Sequence, residues 1–295
     1  AHGRFDERFR PFPIGFTAGA STDEARLEIA GRGKGRFRIG TASLMPANNV
    51  EGFRADVLGL LRELDAPVYR WPGGPFASGY DWRDGIGGRD RRPPRKNPGW
   101  KSVEHNDVGI HEFVALCRLV GAEPHIGVNS SLGDAAPAAA QVEYVNGAAT
   151  TPMGAQRALN GSQPPFNVRW WSVGNEMSGD WNQPFAPHLC GELGKRRTLE
   201  DAISLAAAIH EYSRQADVVS TANAAQAAKI IGAIRTTKTA AVLETTGLVL
   251  KLYRAHFGQV PVAVTGAPGP LDVAAAWRDD RSSLTGPGDD LGQVC

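Results

Sequence analysis

Cysteine and methionine are scarce, with three of each in 295 residues. Cys117, Cys190 and Cys295 show no CxxC spacing, so they give no zinc site and no redox pair. A sparse, odd set of thiols also argues against a disulfide framework. Long apolar runs are missing too; nothing approaches the ~20 residues of a membrane-spanning helix. Neither sign of charge dominates: 32 Lys and Arg stand against 31 Asp and Glu, a net of +1. No long-range field therefore draws the chain to nucleic acid or a membrane surface. Basic residues do gather in "RDRRPPRK", Arg89 to Lys96, but no aromatics interleave them. The run reads as a solvated, proline-broken loop rather than a nucleic-acid patch. Phosphate-binding loops are also absent, since "GRGKGR" at 31–36 has neither the GxGxxG nor the GxxxxGK[ST] arrangement. No secretory leader is visible; the chain opens on "AHGRF" without Met, so that lack carries no weight.

What is present is an ordinary globular composition, 42% hydrophobic and 21% charged. The length exceeds the usual single domain, so one large domain or one and a fraction is expected. The first 35 residues are Gly-rich and weakly patterned. Then strands and helices alternate. "RFRIGTASL" (37–44) reads as a strand. "FRADVLGLLRELDA" (53–66) reads as a helix with Phe53, Val57, Leu60, Leu61 and Leu64 on one stripe. "PVYRW" (67–71) is a strand, followed by a long Gly/Pro/Arg loop to about Asn106. Helix 107–121 places Phe113, Cys117 and Val120 on one face and stops at Gly121. "EPHIGVN" (123–129) is a strand, and "AAPAAAQVEYVNG" is a helix broken or started by Pro137. "VRWWSVGNE" (168–176) is a fourth strand. Thr198 caps a helix with Leu199, Ile203, Ala206 and His210 at helical spacing. "DVVSTANAAQ" (217–226) reads as a fifth strand and 245–258 as a helix, with short strands and turns beyond.

That alternation is the signature of a parallel sheet, whose ligands sit at the carboxyl ends of the strands. Here those ends carry Arg70 to Gly74, Asn129, Asn175-Glu176, and Asn223 with Gln226. Amides bond hydroxyls, and an indole face packs on the apolar side of a sugar ring. The set suits a neutral polyhydroxylated ligand better than a phosphate. Glu176 follows Trp170, Trp171 and Val173, where apolar walls would raise its pKa and leave it able to protonate a leaving oxygen. A structural Glu paired with the nearby Arg169 fits the same residues.

Several longer stretches carry a specific resemblance. "YRWPGGPFASGYDWRDGIGGRDRRPP", "VEHNDVGIHEFVALCRLVGAEPHIGVN", "VEYVNG", "RWWSVGNEMSGDW" and "QADVVSTANAAQ" with "TTKTAAVLETTGLVLKLYRAHFG" resemble glycoside hydrolase family 51, in the family's order from about Gly35 to Trp277. Its typical activity is α-L-arabinofuranosidase. The resemblance implies an α/β fold of the (β/α)8 TIM-barrel type with a C-terminal β-sandwich. It also implies a retaining, two-carboxylate mechanism with no metal or organic cofactor. Glu176 falls on the family's general acid/base, and Asn175 on the amide expected at the sugar's 2-hydroxyl. Asn223 and Gln226 match its (A/Y)N-x-AQ segment, and Trp71, Gly73 and Gly74 its RWPGG turn. Pro75 departs from the pattern, which puts substrate recognition at that position in doubt. The partners implied are oligo- or polysaccharides from arabinoxylan or arabinan, with a β-glucan as the alternative within the family. Members are often homo-oligomers, and many bacterial ones are cytoplasmic.

The second carboxylate is not where the resemblance puts it. A retaining enzyme needs it roughly 5–5.5 Å from the first. The family's nucleophile is a Glu in a DEW-type motif three βα steps after the acid/base, and no such motif stands in this sequence. About five of the eight barrel strands are readable. After Trp181 the chain passes within a few residues to "GELGKRRTLEDAI", which resembles the family's segment just past the nucleophile. The expected organisation is an N-terminal segment 1–35, an incomplete barrel-type domain 36–258 with a deletion near 181–182, and a partial β-sandwich 259–295. Asp180, four residues past Glu176, falls in the family's GDW context, where the resemblance implies a role of its own rather than that of nucleophile, and Glu143, Glu192 and Glu244 lack a matching motif. Glu143 reads as a helix-surface residue, Glu192 as a solvated loop residue, and His111 and His125 as structural, with no third ligand spaced to make a metal site. Without a nucleophile the chain is expected to turn over an aryl arabinofuranoside negligibly. A sugar-binding protein that does not cleave is the alternative.

Overall fold

The computed structural model describes residues 9–22, 24–97, 102–130, 134–175, 196–228, 232–266, 270–278 and 284–285. Two compact units divide at Arg54/Ala55. In the first unit the described residues run without strands; Val50 and Phe53 form one isolated bridge. The strand expected at 37–44 is absent there. A pattern of alternating apolar residues becomes a strand only when a neighbour takes its backbone hydrogen bonds. Phe37, Ile39 and Leu44 are exposed instead.

The second unit alternates helices and strands. In chain order the helices are α1 (Ala55–Leu64), α2 (Pro75–Gly79), α3 (Ile110–Val120), α4 (Ala135–Asn146), α5 (Pro152–Leu159), α6 (Leu199–Arg214) and α7 (Thr245–His256). The strands are β1 (Val68–Trp71), β2 (Arg95–Asn97), β3 (Ser102–Glu104), β4 (Glu123–Val128), β5 (Trp170–Val173), β6 (Ile234–Thr236), β7 (Ala241–Leu243), β8 (Val260–Val262), β9 (Ala275–Trp277) and β10 (Leu284–Thr285). The central sheet is parallel, in the order β1-β4-β5, with Trp71 opposite Ile126 and Val128 opposite Val173. It is an incomplete barrel-type sheet, and three of the five expected strands form it. The run 217–226 is not a strand. Val218 and Val219 turn back to hydrogen-bond Gln215, and no neighbouring strand pairs with them among the described residues. The C-terminal strands β8, β9 and β10 make a small antiparallel sheet with β9 central.

One apolar core lies between the sheet and α3, α4 and α5. Ile110, Phe113, Val114 and Cys117 of α3 pack with Ile126 of β4, Tyr144 and Val145 of α4, and Phe166 and Val168. The α3 stripe is as expected, and Gly121 ends the helix in the left-handed region at φ 77. Burial pushes the Cys117 thiol up to about 12, so it behaves as an inert core side chain. Other stripes differ. On α1 the buried positions are Leu58, Leu61 and Leu64. On α6, Leu199 and Ile203 are exposed while Ala202 and His210 are buried. Leu61, Leu64 and His210 are buried as expected, while Leu58 and Ala202 replace other expected positions, since an i, i+4 series on a helix with several apolar sides does not choose between adjacent faces.

Most of the basic run is exposed as expected, with Arg91, Arg95 and Lys96 open to solvent, but one residue is not. The Arg92 side chain is only 3% exposed and grips Glu112 with Nη1 to Oε2 and Nη2 to Oε1, each at 2.9 Å. Arg89 also pairs with Glu112 and Arg95 with Asp84. Glu112 sits at the third position of α3 and accepts from Gly109 N, so its buried carboxylate caps the helix and needs a counter-charge. Glu143 is half-buried rather than on the helix surface, because its Oε1 accepts from Met153 N at the start of α5. That helix is capped by Thr151 with Pro152 in its first turn, a start signal present in the sequence but weak beside the longer apolar stripes.

Candidate functional site

Parallel strands end on the same side, so β1, β4 and β5 bring Trp71 to Gly74, Asn129 and Gly174-Asn175 to one rim. Gly174 N donates to Val128 O at 3.1 Å, which extends the pairing by one residue and fixes where Asn175 begins. Asn175 is 5% exposed. Its Oδ1 accepts from Arg70 Nη2 at 2.9 Å and from Gly74 N at 3.1 Å. The second bond requires the turn after β1 to fold back, and Gly74 does this at φ 65, a conformation that favours glycine. Arg70 Nε also reaches Ser172 Oγ at 3.3 Å. With the carbonyl oxygen held twice, the amide cannot flip without losing both bonds. Asn175 Nδ2 is then a buried donor with no partner among the described residues.

Side chains alternate across a strand, and this separates Arg70 from Trp71. Arg70 lies on the face that carries Ser172 and approaches Asn175. The Trp71 indole turns to the helix side, edge-on to Tyr80 at 5.4 Å and tilted on Phe113 at 5.7 Å. Asn129 Nδ2 donates to Tyr80 O at 3.3 Å. His125, in register with Arg70, has its pKa lowered by burial and then by the Arg70 charge, so it stays neutral beside that cation. His111 is tied into the core, with Nε2 2.7 Å from Tyr144 Oη. Arg169, the alternative partner for Glu176, pairs with Glu123 at 2.9 Å on the surface.

Other expected residues fall elsewhere. Glu176 itself, with Asp180, Glu192, Cys190 and the expected join at 181–182, lies outside the described residues. Cys295 does also. Asn223 is exposed and Gln226 half-buried on an irregular segment, and neither side chain hydrogen-bonds to the rim among the described residues. Glu244 begins α7 and pairs with Arg235 at 3.0 Å. Two residues at the rim are given no role by the sequence: Arg70, which it places at a strand end, and Ser172, which it does not place there. Their signal is the alternation itself, one position back from Trp71 and one from Val173.

The rim has relatives. The α-L-arabinofuranosidase 1 domain matches residues 60–242, a span that holds β1, β4, β5 and the Asn223–Gln226 segment. The chain belongs to this family. Among curated members, α-L-arabinofuranosidase C of Emericella nidulans is 43% identical over 136 residues, 46% of this chain and 27% of that protein. The intracellular exo-α-(1→5)-L-arabinofuranosidase of Bifidobacterium longum is 41% identical over 136 residues, 46% of this chain and 24% of that protein. The matched stretch thus spans about a quarter of these relatives. Among solved structures, the arabinose complex of the Thermotoga maritima α-L-arabinofuranosidase aligns over 81% of this chain and 76% of its own, with a TM-score of 0.74 at 23% identity. The family 51 enzyme of Thermotoga petrophila aligns over the same shares with a TM-score of 0.72 at 24% identity. At such identity the likeness is one of fold.

Proposed function

We propose that this arabinofuranosidase-family chain engages terminal α-L-arabinofuranosyl groups at the Arg70–Asn175 rim, as part of a retaining glycoside hydrolase. The observation that carries the reading is the Asn175 amide. Its oxygen is pinned by Arg70 and Gly74, and its Nδ2 is buried without a partner among the described residues, immediately before Glu176. A fixed donor of this kind suits a sugar hydroxyl. Glu176 would protonate the departing oxygen and later deprotonate the incoming water. Glu176, Asn175, Gly73, Gly74, Trp71, Asn129, Asn223 and Gln226 make up the proposed site, with Trp71 acting through the packing that holds the turn. We read 1–35 as an N-terminal segment, 36–258 as barrel with a deletion near 181–182, and 259–295 as part of a β-sandwich. A cytoplasmic location is supported by the name of the Bifidobacterium relative, and homo-oligomers by the family resemblance.

The sequence's lack of a DEW-type Glu favours a second reading, in which the chain binds the sugar without cleaving it. One experiment separates the two. Release of p-nitrophenol from an aryl α-L-arabinofuranoside is measured alongside binding of L-arabinose. Binding that Asn175→Ala abolishes, with negligible release, supports the rim and the missing nucleophile. Full-rate release that Glu176→Gln removes would show that a carboxylate elsewhere attacks. No binding and no release would end the sugar reading.

A further inference from the structure

Arg70 and His125 stand opposite each other in the pairing of β1 with β4, and Trp170 of β5 stands opposite His125 on the other side. Opposite residues share a face, so the imidazole lies on the Arg70–Ser172 side of the sheet, away from the core side of Trp71 and Ile126. His125 Nε2 is buried and has no hydrogen-bond partner among the described residues. Two residues on, β4 carries Gly127, where a Cβ would stand 3.1 Å from Pro72 O and 3.4 Å from Ser172 Oγ. Strand β4 therefore puts no side chain between the imidazole and the turn that holds Asn175. Charged groups on this face are few. β1 contributes Arg70, whose guanidinium meets the neutral acceptors Ser172 Oγ and Asn175 Oδ1 and no carboxylate among the described residues. β5 contributes Trp170 and Ser172, which carry no charge. β4 itself contributes Glu123, two residues back and already engaged by Arg169. Arg70 is the charged group that acts on the ring.

We infer that His125 is a positioning residue that ties the rim to pH: neutral, it leaves the Arg70 guanidinium on Asn175 Oδ1, and protonated, it drives that guanidinium off and frees the amide to turn. Two physical effects act in the same direction. A proton gained by the ring makes both nitrogens donors, and Nε2 is then a buried charged donor without an acceptor. The new charge also stands one strand from Arg70, with Glu123 unable to offset the pair because Arg169 holds it. Either the ring or the guanidinium must move, and neutral acceptors alone hold Arg70 among the described residues. Burial first, and the Arg70 charge second, keep the His125 pKa below its ordinary 6.5. The pinned arrangement is therefore complete above that value and is lost as pH falls through the lowered one. Glu112, held below 4.5, titrates later in the same descent. That a freed amide binds sugar less well rests on the proposed function; the coupling of ring, guanidinium and amide does not.

The test is a pH titration of the full chain carrying Glu176→Gln, so that the carboxyl next to Asn175 does not titrate. NMR follows the Asn175 side-chain amide and the His125 ring from about pH 7.5 to about pH 5, the range of histidine titration, and calorimetry follows L-arabinose. The amide resonances are expected to shift with the midpoint of the ring. The affinity is expected to fall about tenfold over the same range, as loss of one directed hydrogen bond would cause. His125→Gln, and independently His125→Phe, should keep the amide in place at every pH and level the affinity profile. The parent titration holds even where a variant folds poorly, since it reads ring and amide in one molecule. An Asn175 amide that stays put as the ring protonates, a ring that stays neutral throughout, or a shift that persists in both variants would overturn the inference. An amide that moves with the ring in a chain that binds no L-arabinose at any pH would uphold the coupling and sink the sugar reading instead.

Discussion

Arg70 and Asn175 are 105 residues apart in the chain and 2.9 Å apart in space, guanidinium nitrogen to amide oxygen. The bond joins β1 to the end of β5 across β4, and it decides which way the amide nitrogen faces. Exchange of Asn175 should therefore separate fold from recognition. Asn175→Ala strands Arg70 Nη2 and Gly74 N, with an expected loss of about 1–3 kcal/mol in urea unfolding. Asn175→Asp keeps an acceptor for both donors, so stability should hold. It deletes the N–H, so L-arabinose binding should fall. Equal loss of binding and stability in both variants would refute a directed donor.

Glu112 predicts a pH dependence. Burial would raise its pKa, but the hydrogen bonds from Arg92 and Gly109 N and the Arg92 charge outweigh that, and the carboxyl is held below its ordinary 4.5. A depressed carboxyl contributes stability that is complete above the unfolded-state value and lost as pH falls through the lower, folded one. Unfolding followed from pH 7 downward should show the stability declining below about pH 4.5. Glu112→Gln should flatten that decline and cost about 3–5 kcal/mol at neutral pH by leaving Arg92 buried without its charge partner.

The Arg157 side chain predicts intolerance of a charge-conserving exchange. It is fully buried and donates to four carbonyls: Tyr144 at 2.8 Å, Gly147 at 2.7 Å, Ser162 at 3.0 Å and Gln163 at 3.0 Å. A lysine ammonium cannot reproduce the planar fork. Each carbonyl left unmet costs about 1–3 kcal/mol, so Arg157→Lys should lower the melting temperature sharply. A variant that melts like the parent would show that these contacts contribute little.

Gly109 and Gly85 cross backbone to backbone. A Cβ on Gly109 would come within 1.8 Å of Gly85 O, which no side-chain shift relieves. Gly109→Ala should cost about 1–3 kcal/mol from overpacking, read as a lower denaturation midpoint with an unchanged slope.

Much of the sheet is legible in the sequence because β1, β4 and β5 are short apolar runs bounded by Gly, Pro and Asn. The segments 37–44 and 217–226 look similar, but a strand is a property of two chains of hydrogen bonds, and sequence shows only one. The β2–β3 hairpin is hidden for the opposite reason. Arg95, Lys96 and Asn97 have no apolar alternation, and Arg95, which stands opposite Glu104 in the pairing, is held by an ion pair with Asp84. Asn175 is visible as a polar residue ending an apolar strand. Arg70 is masked by the more conspicuous Trp71 beside it, although the alternation places the arginine on the rim side and the indole in the core. Arg92 shows how little composition says about burial: the same run that reads as solvent-exposed charge contains a residue at 3% side-chain exposure.

The order β1-β4-β5 also has a temporal meaning. β4 is flanked on both sides, whereas β1 and β5 each have a single partner among the described strands. The amides of Glu123–Val128 that bond to either neighbour can meet deuterium only when one of those pairings parts, and Ile126 and Val128 are closed over by side chains besides. Local opening should reach this strand last, so its protection sets the ceiling for the whole second unit, and the rim that hangs from its two neighbours loosens before the strand that bears them.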